Sequence, residues 1–154
     1  MPQPAIRPDA FCQVALVVRD IETVSRQYAD LFGVAPPDIR TTGPYDETGA
    51  SYRGKPTDAR AKLAFFDIGS VRLELIEPIG GPSIWQEHLD RNGEGVHHIA
   101  FHVDDAERAR TQLAQRDMPV AQEGQFPGGG YLYIDSAGPL KLLLELLYKR
   151  PEDD

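Results

Sequence analysis

The chain has 154 residues, 41% hydrophobic and 26% charged, with a formal net charge of −8. That length suits one domain burying roughly two-thirds of its unfolded surface, and the acidic balance argues against nonspecific nucleic-acid binding and against an anionic membrane surface. Cys12 is the single cysteine, so no disulfide forms within the chain; no run reaches the length of a transmembrane helix, the first residues carry no apolar secretory core, and the cytoplasm is the expected compartment.

Residues 11–18 are apolar and β-branched and read as a buried strand. Asp20 predicts the N-cap of a helix over 21–32, with Ile21, Val24, Tyr28, Leu31 and Phe32 at helical spacing and Gly33 just past its end. A Gly/Pro-rich stretch follows, then strands near 61–68 and at 71–77 around the turn Gly69-Ser70. The segment 78–95 predicts a short linker helix capped by Ser83, with Gln86 closing a capping box and Trp85 as a packing anchor beside Leu89. A strand over 96–103 comes next. Asp104-Asp-Ala-Glu107 reads as a capping box for a helix running to about 116. A short strand near 118–122, a flexible Gly-rich turn at 128–130 and strands at 131–135 and 140–147 complete the chain.

The elements fall into two βαβββ modules, 11–77 and 96–148, joined by the linker helix within a single domain. Each module holds two polar residues inside strand-like runs: Gln13 and Glu74 in the first, His98 and Glu145 in the second. Side chains alternate faces along a strand. Gln13 then lies with Ala15 and Val17, Glu74 with Arg72 and Ile76, His98 with Ala100 and His102, and Glu145 with Lys141, Leu143 and Leu147. Buried polar groups cost free energy unless paired, and one divalent ion would satisfy all four. Taken singly, each has an ordinary explanation; their joint placement on the opening and closing strand of each module carries the weight. The same alternation sends the rings of His97 and His98 to opposite faces, so the pair does not bind one ion.

The modules differ by an insertion. Gln13 to Glu74 spans 61 residues and His98 to Glu145 spans 47, and the difference lies within 34–60. This long stretch carries Arg40, Tyr45, Asp46, Glu47, Tyr52, Arg53 and Lys55. It reads either as a substrate lid or as a solvated insertion.

Three segments resemble the vicinal oxygen chelate superfamily, the glyoxalase and methylmalonyl-CoA epimerase group: Leu73-Glu-Leu-Ile-Glu-Pro78, Gly93-Glu-Gly-Val-His-His-Ile-Ala-Phe-His-Val-Asp-Asp105 and Leu143-Leu-Glu-Leu146. The resemblance covers nearly all of 11–148. It implies an α+β fold in which the two βαβββ modules form an open, mixed-sheet barrel around a metal. Carried over by position, it implies Gln13, Glu74, His98 and Glu145 as ligands of a divalent ion, Ni²⁺, Co²⁺, Mn²⁺, Zn²⁺ or Mg²⁺. Epimerases of the group usually have His at the first ligand position, whereas Gln13 matches some glyoxalase I enzymes. With His98 the sole histidine ligand, the two-His set of the iron dioxygenases is missing. Some epimerases carry a second catalytic Glu on the third strand; Lys62 stands at that position here.

The resemblance implies proton removal next to a carbonyl, giving an enolate or enediolate, with Glu145 as the first choice of base and Glu74 the second. Lys62, Arg72, His102 and Lys141 are candidate substrate contacts. The expected activity is a metal-dependent epimerase or isomerase of a small α-carbonyl substrate, an acyl-CoA or a keto sugar, in a homodimer. A lactoylglutathione lyase acting on a glutathione adduct and a non-catalytic small-molecule-binding resistance protein are the alternatives; retention of all four ligand positions counts against the last.

Overall fold

A computed structural model describes residues 3–151. After a 3-10 turn at Pro8–Ala10, the chain runs through β1 (Phe11–Val17), α1 (Ile21–Phe32), β2 (Arg40–Thr41), α2 (Tyr45–Thr48), β3 (Ser51–Tyr52), β4 (Lys55–Pro56), β5 (Arg60–Ile68) and β6 (Val71–Ile79). The linker helix α3 (Ile84–Asn92) leads into β7 (Gly95–His102), α4 (Ala106–Ala114), β8 (Val120–Phe126), β9 (Gly129–Ile134), the single turn α5 (Ala137–Leu140) and β10 (Leu143–Lys149). No helix among the described residues is long and apolar enough to cross a membrane.

The ten strands of the described residues join one mixed sheet in the order β2-β5-β6-β1-β7-β10-β9-β8-β3-β4. The modules meet where β1 and β7 pair antiparallel, and each opening strand is flanked on its other side by its own module's closing strand, in parallel. The sheet curls into a half-barrel, an α+β fold with its helices outside and at one end.

Local chemistry places the helices. The Asp20 carboxylate accepts from the Thr23 backbone N–H, and Gly33 ends α1 at φ 65°. The apolar side of α1 packs on Ala64, Phe66, Leu73 and Leu75 outside module one. On α4 the N-cap is Asp105, one residue later than the capping-box pattern places it, and its carboxylate accepts from Arg108 N–H. That helix covers Leu132, Ile134, Leu144 and Leu146 outside module two. On the concave side, Ile84, Trp85 and Leu89 of α3 pack against Val17, Ile76 and Leu143. The linker helix therefore plugs one end of the half-barrel.

Residues 34–60 form a largely solvent-exposed strap anchored at both edges of the sheet. Arg40–Thr41 pairs with β5 at one edge of the sheet, and Ser51–Tyr52 pairs with β8 at the other. The far end is clamped: Arg53 makes paired hydrogen bonds with Glu87 on α3, at 2.8 and 3.1 Å, and the Tyr52 hydroxyl donates to the same carboxylate. Thr57 Oγ1 donates to the Pro82 carbonyl at 2.7 Å. The inserted segment thus bridges the two edges of the curled sheet.

Two local expectations change. Residues 140–142 are not strand: the chain turns through α5, and Lys141 caps it at φ 66°. The glycines at 128–130 are not a flexible turn. Gly128 turns the hairpin at φ 84°, but Gly129 and Gly130 are buried in β9. The Arg150 guanidinium donates to the carbonyls of Phe126 and Gly129. A Cβ on Gly130 would overlap the Tyr148 ring.

Gly130→Ala is therefore expected to cost about 1–3 kcal/mol, the usual penalty for overpacking, lowering the melting midpoint by about 2–4 °C per kcal/mol. Gly138→Ala, where nothing lies within 4 Å of an added Cβ, is expected to cost nothing measurable. Urea titrations of the two variants check this; equal midpoints would mean that Tyr148 moves aside freely.

Candidate metal centre

Four strands converge on one point inside the half-barrel. Gln13 stands on β1, Glu74 on β6, His98 on β7 and Glu145 on β10, the four adjacent strands around the module seam. None of the four is more than 6% exposed. His98 Nε2 lies 3.6 Å from Glu74 Oε1 and 3.3 Å from Glu145 Oε2. The three donor atoms offered by Glu74, His98 and Glu145 lie within 4.8 Å of one another. The Gln13 amide approaches Glu74 Oε1 at 3.3 Å and His98 Nε2 at 3.5 Å. Its nitrogen donates in this arrangement, and a half-turn of the amide presents the oxygen instead.

The electrostatics are one-sided. Burial, then the charge of Glu145, pushes the Glu74 carboxyl well above the ordinary carboxylate range. Burial pushes Glu145 up to about 7, against a hydrogen bond from Tyr133 that favours its ionised form. Among the described residues, no Lys or Arg forms an ion pair with either carboxylate. The imidazole between them cannot compensate, because burial lowers His98 well below its ordinary range and keeps it neutral. Two buried carboxyls facing a neutral ring are costly as anions. A divalent cation offsets both charges, and two carboxylates, one imidazole and one amide oxygen form a set suited to Mg²⁺, Mn²⁺, Co²⁺, Ni²⁺ or Zn²⁺.

The substrate-contact candidates separate. Arg72 and His102 line a cavity of about 310 Å³ beside Gln13, together with Cys12, Ser70 and Leu147. The cavity lies at the end of the half-barrel away from α3. The Arg72 guanidinium sits 5.0 Å from the centre of the Phe65 ring, and its Nε lies 3.4 Å from Asp67. Lys62 is elsewhere: strand parity turns it to the outer face, where its ammonium lies 3.4 Å from Glu77. Lys141 is exposed beyond the start of β10 and donates to the Gly138 carbonyl.

Two residues that reasoning from alternation missed stand behind the centre. In the β1–β7 ladder Ala15 pairs with His98 while Leu16 pairs with Val96, leaving His97 as an extra, unpaired residue. This β-bulge breaks the alternation. The His97 ring is buried and lies edge-on to Tyr133, 5.6 Å between centroids, so both histidines serve the interior. Burial lowers His97 to about 3. Tyr133, paired with Glu145 across the β9–β10 ladder, accepts from the Trp85 indole N–H at 3.0 Å and hydrogen-bonds Glu145. Trp85 thus orients a hydroxyl as well as filling the plug. The adjacent histidines were the visible signal for His97; nothing local marked Tyr133.

The family model of the glyoxalase/bleomycin resistance protein/dioxygenase superfamily matches residues 12–134. The chain belongs to this superfamily. A Cereibacter sphaeroides ethylmalonyl-CoA/methylmalonyl-CoA epimerase is 27% identical over 113 residues, 73% of this chain and 74% of the relative. An uncharacterised Bacillus subtilis protein, YqjC, is 48% identical over 44 residues, 29% of this chain. That match spans only 31% of YqjC's length. The crystal structure of methylmalonyl-CoA epimerase from Mycobacterium tuberculosis superposes with a TM-score of 0.66 at 17% identity, covering 98% of this chain and 93% of that one. At that identity the likeness establishes the glyoxalase-like fold.

Stability should report the buried carboxyls in metal-free protein. Glu145, raised to about 7 from an ordinary 4.5, keeps a proton that the unfolded chain has already released. Its contribution is complete below about pH 4.5 and is lost as pH rises through 7. His97 and His98, both lowered, act with the opposite sign: their contribution is present above about 6.5 and is lost as pH falls. Subtracting Glu145→Gln from the unmodified protein removes the histidine contributions and leaves that of Glu145 together with its coupling to Glu74. In the presence of chelator, that difference in unfolding free energy is expected to decline from pH 5 to 8; a flat difference is the contrary result.

Proposed function

We propose that the centre holds a divalent ion through Gln13, Glu74, His98 and Glu145, and that the protein is an epimerase of the methylmalonyl-CoA type, inverting a carbon next to a thioester carbonyl. The observation that carries this reading is the pair of buried carboxyls with no basic partner, set beside a cavity that offers Arg72. The epimerase relatives point the same way. When bound, the ion supplies Lewis-acid stabilisation of charge developing on a substrate oxygen.

The chain's own groups supply the rest. Glu145 removes the proton next to the carbonyl; Tyr133 holds its carboxylate in place. Inversion needs the proton back on the opposite face. Glu74 is the second carboxyl, brought in by β6 on the other side of the seam from β10. Lys62 takes no part, because it faces outward and pairs with Glu77. Arg72 meets an anionic group of the substrate at the cavity, and the thioester fits between it and the carboxyls. α3 closes the far end to water. The second reading, a lactoylglutathione lyase, rests on the amide of Gln13 at the first ligand position.

In D₂O with added Co²⁺ or Mn²⁺, the protein is expected to exchange the α-proton of methylmalonyl-CoA, and Glu145→Gln to lower that rate by about 10²–10⁴-fold, the usual worth of a positioned general base. Exchange that survives this substitution would remove Glu145 as the base. Turnover of the methylglyoxal–glutathione hemithioacetal without exchange would select the lyase instead. Failure of every divalent ion tested to bind or to raise the melting midpoint would sink the metal reading altogether.

A further inference from the structure

A line of hydrogen-bonding groups runs from the centre back to the linker helix. His98 turns Nε2 towards the two carboxyls, and its other nitrogen, Nδ1, lies 2.8 Å from Nδ1 of His97. The far nitrogen of His97, Nε2, lies 3.3 Å from the backbone carbonyl of Ile84. A carbonyl oxygen has no hydrogen to give, so His97 Nε2 carries one and donates it. In a neutral ring that leaves His97 Nδ1 as a bare lone pair. The lone pair accepts, and so Nδ1–H of His98 is the donor. With its single hydrogen held there, His98 presents a bare Nε2 to Glu74 and Glu145. The approach of the Gln13 amide nitrogen to that Nε2, at 3.5 Å, fits a lone pair on the imidazole.

We propose that His97 is a positioning residue that locks His98 in the Nδ1–H tautomer and so aims a ligand lone pair into the centre. An unrestrained neutral imidazole carries its hydrogen on either nitrogen, and the partner of one nitrogen decides what the other offers. The bulge is what brings His97 within reach of its own neighbour. Its ring is 1% exposed and is boxed by the rings of His88 and Tyr133, at 5.1 and 5.6 Å between centroids. Water cannot readily take its place. The relay is also anchored at its far end: the N–H of Ile84 donates to Gln122 Oε1 at 2.8 Å, fixing the residue whose carbonyl receives the His97 hydrogen. Partners of this kind behind a ligating histidine set ring orientation and basicity, and removing them typically weakens metal binding 10–100-fold. The consequence for metal rests on the function proposed above; the position of the hydrogen does not.

The test separates the two. Long-range ¹H–¹⁵N correlation spectra of the metal-free, ¹⁵N-labelled protein near neutral pH are expected to show His98 protonated at Nδ1. His97→Phe keeps a ring but removes the acceptor; it is expected to abolish that pattern and raise the Kd for Co²⁺, read by calorimetry, about 10–100-fold. His97→Asn, which offers an oxygen near the position of Nδ1, is expected to restore both in large part. A His98 ring protonated at Nε2 in the unmodified protein overturns the proposal, and that measurement needs no variant to fold. An unchanged tautomer and affinity in His97→Phe overturns it as well. Unmodified protein that takes up no Co²⁺ defeats the metal reading, and His97 is then decided by the tautomer alone.

Discussion

Two carboxyls buried within reach of one neutral imidazole set the terms for everything around them. Solvent cannot stabilise their charge, and among the described residues no lysine or arginine forms an ion pair with them. Such a pair survives in a folded chain only if something else holds it, through shared protons, oriented hydrogen bonds or a cation. The surroundings answer each need. Tyr133 and Gln13 supply donors, the half-barrel excludes water at one end, and the four donors come from four adjacent strands whose spacing the ladder fixes. The module seam is thus more than a join, since it is the line along which the donors meet.

The four polar residues were legible because a strand repeats every two residues, and a polar group on an apolar face stands out against that period. The two-module, mixed-sheet architecture then followed from the doubled pattern and the family resemblance, while the strand order is seen only in the structure. Where alternation is interrupted, legibility ends. Alternation puts His97 on the face opposite His98, but one extra residue in β7 shifts the register between Ala15 and Leu16 and turns it inward. Continuous strand over 140–147 would set Lys141 beside Glu145, whereas a single helical turn ends there. Lys62 shows the opposite case: strict parity, applied to β5, already turns it away from Leu63 and Phe65, and position in the family pattern misled where geometry did not.

The linker helix was visible as a capped amphipathic turn, but its importance was not. Its first two residues face the centre from behind, the Ile84 carbonyl towards His97 and the Trp85 indole towards Tyr133. Each reaches a different ligand candidate, in the second module, through one intermediary. Burial of Trp85 and Leu89 and orientation of the centre are therefore a single packing event, and a change in how α3 seats would be felt at His98 and Glu145 together.

The strap has one further consequence, for behaviour in a crowded solution. A curled sheet that stops short of closing leaves two open edges, and open edges recruit strands from other molecules. Here the outermost strands at both ends come from the same inserted segment, and each is two residues long. One is Lys55–Pro56, where the proline has no N–H to offer and the lysine resists a like neighbour. The long strands β5 and β8 lie one and two places inside these edges. The insertion thus covers Lys62–Leu63 on one long strand and Gln122–Glu123 on the other, shortening the open stretch of each edge on which intermolecular sheet growth could start.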